Sequence, residues 1–581
     1  MTSPVTPRKE LAVALAASRF AFLGVGLFSG VSNVLMLTGA FFMLQIYDRV
    51  LPSRSVATLV ALAVLAGGLF IAQGILDMIR GRVLSRIGAS LDEALSARVY
   101  DAMTRLPFRV ADRGDGLQPL RDLDAIRAFL SGQGPAALFD LPWMPIYLAI
   151  IFSFHMTLGV AALIGAIVLV LLTILTDVLT RGPLFSASGF AMMRNGLADA
   201  SVRNSEVLTA MGMRGRMGVR WAEANQNYMA SNQRATDVTG GLGSVSRTLR
   251  MMLQSAVLGI GAYLVIHGEA TAGIIIAGSI LVSRALAPVD LAIANWKGFL
   301  AARQGWRRLD ALLSLIPAPP QQLSLDAPGR KLTVKNASAV PPGAQRAVVQ
   351  DLSFALESGR GLGIVGPSGS GKSSLARMLV GVWQPALGSI RLDGAALSQW
   401  SSDALGRHIG YLPQEVELFA GTVAQNICRF EPDAKSETII AAAHAAGVHE
   451  FIVTLPGGYE TELGEQGTVL SVGQRQRIGL ARALYGDPFL VVLDEPNSSL
   501  DADGETALTQ AILGVRGRGG IVVVIAHRPS ALAGVDLLLV MAQGRAVQFG
   551  PKDEVLARIV RTPSEKPGPL KVVKGLERPV P

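Results

Sequence analysis

Residues 366–373 read Gly-Pro-Ser-Gly-Ser-Gly-Lys-Ser, the G-x-x-x-x-G-K-[ST] spacing of a loop that wraps phosphate groups. The expected phosphate-contacting residues are Gly366, Pro367, Ser368, Gly369, Ser370, Gly371, Lys372, Ser373 and Ser374. The glycines let backbone N–H groups approach the anion, and a following helix N-terminus adds a favourable field. Lys372 is placed to reach the β- and γ-phosphates and the Ser373 hydroxyl to ligate Mg²⁺. A second constellation lies further along, where the apolar run Phe489-Leu-Val-Val-Leu493 ends in Asp494-Glu495. Asp494 suits Mg²⁺ coordination through water, and Glu495 is placed to polarise an attacking water as general base. An acidic pair at a strand end also reads as a solvated turn; the phosphate loop upstream favours the chemical roles. Because Glu495 is a carboxylate and not an amide, hydrolysis is expected as well as binding.

These residues need elements to hold them. Leu362-Gly-Ile-Val365 reads as a short buried strand feeding the loop, and Ser374–Val380 as the helix that leaves it, the strand–loop–helix context the motif requires. Residues 331–561 read as an ordinary α/β globular domain. The preceding part does not: half of all residues in the 581-residue chain are hydrophobic and only 17% are charged, and the apolar ones concentrate in charge-free runs before residue 300. The net charge is +9, but the basic residues are not gathered into one patch or tail, and most of those in the N-terminal half fall between Arg80 and Arg127 and between Arg181 and Arg250, so no nucleic-acid partner is expected. The single cysteine, Cys428, excludes an intrachain disulfide and reads as a small buried hydrophobe. Residues 1–11 carry Arg8, Lys9 and two prolines without a signal-peptide core.

A helix needs about 20 apolar residues to cross a bilayer core. Phe20–Tyr47 and Ser55–Leu76 are two such runs, with an outer connection expected at Asp48–Arg54. Leu141–Thr176 is charge-free over a length sufficient for two spans, with a turn expected at Ser153–Thr157. Met251–Gly268 and Thr271 to about Ala292 complete six. An even number leaves both termini on one side, the side of the nucleotide domain and hence of cytosolic ATP; the Arg-rich stretches agree. The internal connections, about 55–70 residues each, read as helical extensions of the spans. Arg284 and Asp290 place charge inside the sixth run, facing a lumen, a partner or the inner interface. The expected division is a cytoplasmic segment 1–19, a membrane domain 20–310, a linker 311–330, a nucleotide domain 331–561, and a proline-rich tail 562–581 expected to be disordered.

The nucleotide half resembles that of the ATP-binding-cassette (ABC) transporters. Leu470-Ser-Val-Gly-Gln474 matches their signature segment, which implies that Ser471, Gly473 and Gln474 contact the γ-phosphate of ATP held by the other subunit. Gln414 in Tyr411-Leu-Pro-Gln414 matches the glutamine that links the metal site to the membrane domain. Asp501 in Ser499-Leu-Asp501 resembles the loop that crosses the dimer interface, and His527 matches the histidine on the γ-phosphate. Thr461–Gly467 resembles a segment typical of exporters. One departure stands out: the aromatic residue that stacks on adenine in the family is missing from Ala337–Pro342, where Val340 offers only an apolar face.

Several segments resemble the peptidase-free branch of type I protein-secretion ATPases: Gln45–Arg54, Phe129–Gly132 with Leu138–Trp143, Asn204–Val207 with Met211–Met213 and Trp221, and Asp494–Ser498 with Asn497 where threonine is commoner. Pro341-Pro-Gly343 fits the same branch. The resemblance implies a homodimer with two ATP–Mg²⁺ sites in the bacterial inner membrane and in contact with its lipid. It also implies a periplasmic adaptor and an outer-membrane channel as partners, and an unfolded secreted protein with a C-terminal signal as cargo. Some 19 residues before the first span leave no room for a peptidase-like domain. Short helices near Pro107–Gly116 and Ala210–Gly218 are expected to meet the nucleotide domains. The alternatives are an exporter of lipid or small molecules, and an ATP-gated channel that switches without turnover; an intact Glu495 and His527 argue against the latter.

Overall fold

A computed structural model describes residues 10–110, 116–318, 325–464, 467 and 469–561. Part of the N-terminal segment (1–9), part of Pro107–Gly116 (111–115), part of the expected linker (319–324), the tail 562–581, and Glu465, Gln466 and Thr468 ahead of the signature lie outside the described residues. The chain divides into two compact units, Met1–Ala318 and Pro319–Pro581.

Helices make up the first unit. They are α1 (Glu10–Ala17), α2 (Arg19–Leu35), α3 (Thr38–Gln45), α4 (Val56–Arg105), α5 (Gln118–Ser131), α6 (Gln133–Asp140), α7 (Met144–Phe154), α8 (Met156–Arg203), α9 (Ser205–Ala210), α10 (Arg214–Ile266), α11 (Ala272–Ala294) and α12 (Trp296–Leu315). Among the described residues, six stretches are long and apolar enough to cross a membrane: Arg19–Ser53, Val56–Phe108, Gln133–Phe154, Met156–Arg203, Arg214–Ile266 and Ala272–Ala294. The internal connections are helical extensions, as their lack of proline clusters predicts; α8 holds one interior proline, Pro183, and α11 another, Pro288. Helix α12 runs through residues 311–315, where the sequence suggests a linker.

Two span boundaries differ from the charge-based expectation, for one reason: the bounding charges are used inside the fold. Asp48 does not open a loop. The backbone continues as a π-helical turn, Ile46–Val50, and then Leu51–Ser53, reversing only at Arg54, which is left-handed (φ 50°). The Asp48 carboxylate accepts from Thr271 Oγ1 at 2.7 Å and Gly273 N at 2.9 Å, so it caps α11 across the fold. Asp140 likewise does not end a span. It accepts from Asn33 Nδ2 at 2.7 Å and pairs with Arg80 at 3.1 Å, while Tyr147 Oη donates to the Asn33 carbonyl at 2.7 Å. A charge so neutralised can lie within a helix-packed core, and the third span starts at Gln133, ahead of Leu141.

In α11, Asp290 pairs with Arg250 at 2.7 Å and accepts from Ser246 Oγ at 3.1 Å. Arg284 is exposed and has no ion pair among the described residues. A separate apolar cluster of Leu11, Leu91, Leu95, Val99, Leu123, Leu309 and Leu313 binds α1, α4, α5 and α12 together. Arg98 adds an ion pair to Glu10 (3.0 Å), and Arg308 holds Asp122 with two hydrogen bonds of 2.8 and 2.6 Å.

The second unit contains β1 (Lys331–Ala339), β2 (Val349–Glu357), β3 (Gly361–Val365), α13 (Lys372–Leu379), β4 (Leu387–Leu392), β5 (Ala395–Ala396), α14 (Ser402–His408), β6 (Ile409–Leu412), α15 (Val423–Ile427), α16 (Ser436–Ala445), α17 (His449–Thr454), α18 (Val472–Leu484), β7 (Leu490–Asp494), α19 (Ala502–Gly517), β8 (Ile521–Ile525), β9 (Leu537–Ala542), β10 (Arg545–Pro551) and α20 (Lys552–Arg561). The central sheet has the order β10-β9-β3-β8-β7-β6, parallel except for β10, and a smaller antiparallel sheet has the order β2-β1-β4-β5. β7 and β8 are buried along their whole length, the continuous apolar pattern of strands covered on both faces. Loops at the carboxyl ends of β3, β7 and β8 therefore emerge side by side, and these are the loops with the chemical residues.

Candidate nucleotide site

β3 delivers the chain into Gly366–Gly371, and α13 begins at Lys372. Gly371 has φ 94°, and a Cβ there would stand 2.5 Å from the Val348 carbonyl, so only glycine fits this turn. Lys372, 6% exposed, donates from Nζ to the Gly366 and Pro367 carbonyls at 2.9 and 3.0 Å. Burial lowers its pKa, with Glu495 and Asp494 opposing. Ser370 Oγ is buried without a hydrogen-bond partner among the described residues. A buried hydroxyl inside a ring of amides is what a phosphate oxygen would satisfy.

At the end of β7, Asp494 Oδ1 accepts from Ser373 Oγ at 3.3 Å. Asp494 is 2% exposed, and burial raises its pKa against the Ser373 hydrogen bond. A desolvated carboxylate beside the Ser373 hydroxyl offers hard oxygens of the kind Mg²⁺ takes when phosphates complete its shell, and the Gln414 side chain stands by the neighbouring Glu495. Among the described residues no group of three or more His, Cys, Asp or Glu stands close enough to hold a metal ion by itself.

Glu495 follows with φ 52°, a left-handed conformation that costs a non-glycine residue about 1–3 kcal/mol. Its N–H donates to the Ile525 carbonyl of β8 at 2.9 Å. Its carboxylate accepts from Gln414 Nε2 at 3.2 Å and lies 3.1 Å from His527 Nε2. The structure thus brings together Lys372, Ser373, Gln414, Asp494, Glu495 and His527.

The signature residues form a second group. Ser471 caps α18 in a reciprocal box with Gln474: Ser471 Oγ accepts from Gln474 N at 3.3 Å and Gln474 Oε1 from Ser471 N at 2.8 Å. Asp501 caps α19 through Gly504 N at 2.9 Å and pairs with Arg477 at 2.9 Å; the Gly504 hydrogen bond, with Arg477, lowers its pKa. Among the described residues, no hydrogen bond joins Ser471, Gly473 or Gln474 to residues 366–374, Glu495 or His527. Val340 is partly exposed beyond β1, at the start of the Pro341–Gly343 connection.

Sequence reasoning passed over Gln476, 3% exposed, whose Nε2 donates to the Glu495 carbonyl at 3.2 Å. Its signal is faint: one polar residue at helical spacing from the buried Gly479 and Leu480 of α18. Asn497, noted only as a mark of kinship, is also buried. Its Nδ2 donates to Ser530 Oγ at 3.2 Å, and Ser530 Oγ donates to Glu505 at 3.1 Å.

Comparison with known proteins agrees with this geometry. The ABC transporter model matches residues 349–498, and that of the ABC transporter transmembrane region matches residues 22–288. The chain is 57% identical to the type I secretion system ATP-binding protein PrsD of Rhizobium meliloti, over 97% of each chain. It is 31% identical to the cyclolysin secretion/processing ATP-binding protein CyaB of Bordetella pertussis, over 90% of this chain and 74% of that one. Among solved structures it resembles a bacterial Atm1-family ABC exporter with ATP bound: TM-score 0.80, 26% identity, 94% of this chain and 97% of that one. With a multi-pass apolar half, an ATPase half and a near-full-length relative of this kind, the chain belongs to the ABC transporters, in the family of type I secretion system ATP-binding proteins.

Proposed function

We propose that two copies of this chain form a homodimeric exporter with two composite ATP sites, each made of residues 366–374 of one copy and Ser471, Gly473 and Gln474 of the other. The observation that carries this reading is the separation of the two groups within one chain: the phosphate loop is joined to Asp494, whose neighbour Glu495 holds Gln414 and His527, while among the described residues the signature turn has no hydrogen bond to the loop. A two-fold axis closes both sites at once.

In each site, Lys372 and the amides of the loop bind the phosphates, Ser370 Oγ adds a donor, and His527 reaches the γ-phosphate. Ser373, Asp494 and Gln414 would hold Mg²⁺, which neutralises phosphate charge when bound. Glu495 accepts a proton from the attacking water, oriented by Gln414 and His527. Asp501 lies at the crossing between copies. The membrane domain is 20–310 and the nucleotide domain 331–561; both termini and the nucleotide domain face the cytosol, and the lipid-facing spans sit in the bacterial inner membrane. In this reading the cargo is an unfolded protein with a C-terminal signal, passed to a periplasmic adaptor and an outer-membrane channel; the likeness to a type I secretion system ATP-binding protein supports it.

The test is Glu495→Gln in the purified full-length protein. ATP binding and an ATP-stabilised dimer are expected to persist while turnover falls about 1,000-fold, the scale of a lost general base with its hydrogen-bond network; near-normal ATPase activity would overturn the assigned role. Stimulation of the wild-type ATPase by a C-terminal cargo segment, and not by lipid or small molecules, checks the cargo class.

A further inference from the structure

Gln476 is buried on α18, two residues past the signature and three after the half-buried Gly473, on the same side of the helix. Both ends of its amide are spent on the short segment between β7 and α19. Nε2 donates to the Glu495 carbonyl at 3.2 Å and lies 3.4 Å from Ser498 Oγ, while Oε1 accepts from Ser499 N at 3.2 Å. Gly473 fits the same joint, since a Cβ there would stand 2.7 Å from the Ser499 carbonyl. The segment so gripped begins with Glu495 and ends with Asp501.

Glu495 needs a holder. A left-handed non-glycine residue persists only where its surroundings over-determine it. The Glu495 N–H is fixed by the Ile525 carbonyl at 2.9 Å, and its C=O is fixed by Gln476. With both flanking peptide groups pinned, the Cα–Cβ direction of Glu495 is fixed, and from it the carboxylate reaches Gln414 and His527. Without the amide of Gln476, the segment is free to relax toward the common φ range, and the carboxylate turns away.

We propose that Gln476 is a positioning residue for ATP hydrolysis, locking the backbone of Glu495 and joining the signature turn to the general base within one chain. The signature turn serves the ATP of the second copy, and Glu495 serves the ATP of its own copy. Gln476 is then the link by which occupancy of one site sets the geometry of the other. The proposal rests on the reading of Glu495 as general base and of the sites as composite.

The test uses the full-length protein in lipid nanodiscs. Gln476→Leu removes both hydrogen-bonding ends at nearly constant volume. Gln476→Glu keeps the acceptor toward Ser499 N and loses the donor toward the Glu495 carbonyl. Both are expected to lower kcat about 100-fold, the scale of a displaced catalytic group. The affinity for a fluorescent ATP analogue and the KM for ATP are expected to stay within about twofold, the signature of a loss confined to the transition state. Wild-type kcat in both variants, or a raised KM with unchanged kcat, overturns the proposal; if Gln476→Leu does not fold, Gln476→Glu alone decides. Glu495→Gln is measured beside them. Normal turnover in Glu495→Gln sinks the general-base reading itself, whereas an inactive Glu495→Gln with fully active Gln476 variants sinks only the role of Gln476.

Discussion

At the phosphate loop, burial and charge compete on a single lysine. Lys372 is desolvated, and its ammonium is held by two main-chain carbonyls while the carboxylates of Asp494 and Glu495 lie near. Charge-assisted hydrogen bonds are worth about 1.5–3 kcal/mol, so Lys372→Met is expected to weaken ATP binding about 10- to 100-fold, measured by equilibrium titration. The nucleotide-free protein responds in the opposite sense. A lysine whose folded-state pKa is lowered carries a stability penalty at neutral pH, relieved as pH climbs from the folded value to the free one. Lys372→Met is therefore expected to raise the thermal midpoint near pH 7, with an advantage that shrinks in alkali; a lowered midpoint would contradict it. The phosphate loop was legible because its chemistry depends on local spacing. Gln476 and Asn497 were not, because their partners at Glu495 and Ser530 lie 19 and 33 residues away and no local pattern announces them.

Helices and strands show where charge counting succeeds and where it misleads. Charge-free runs located all six spans, since lipid admits no unpaired charge over that length. The same rule misplaced the ends at Asp48 and Asp140, because a carboxylate that caps a neighbouring helix or meets an arginine no longer needs water. Asp48→Ala is expected to cost about 1 kcal/mol, the usual value of a lost cap, read as a lower thermal midpoint in detergent. A second carboxylate anchors the start of β1. Burial would raise the pKa of Asp393, but hydrogen bonds from the N–H groups of Gly329, Lys331 and Arg330 prevail and hold it below the usual range. Its stabilisation is present above the free carboxylate value, about 4, and is lost as pH falls through the lowered folded value. Asp393→Ala should therefore lower the midpoint at pH 7 and converge with wild type in acid; a constant gap across pH would contradict the linkage.

The whole molecule is a half-machine in which each copy carries parts of two sites. Lys372→Met disables the phosphate loop of a copy, and Gly473→Glu disables its signature. Each homodimer is expected to be inactive, whereas one-to-one mixing with subunit exchange rebuilds one intact site in half of the dimers. ATPase activity is then expected to recover to at most about a quarter of wild type. Sites contained in single chains would show no recovery at any ratio.

Continuous helices of 48 and 53 residues, α8 and α10, are stiff over most of their length, and α8 holds Pro183 as α11 holds Pro288. Proline lacks the N–H that the carbonyl four residues earlier would use, so each marks a joint where the helix axis yields at low cost. A force applied to the end of such a helix is not spread as elastic strain along the rod. It is taken up first at the joint, and in the sixth span Pro288 stands one turn from Arg284, an exposed arginine without an ion pair among the described residues.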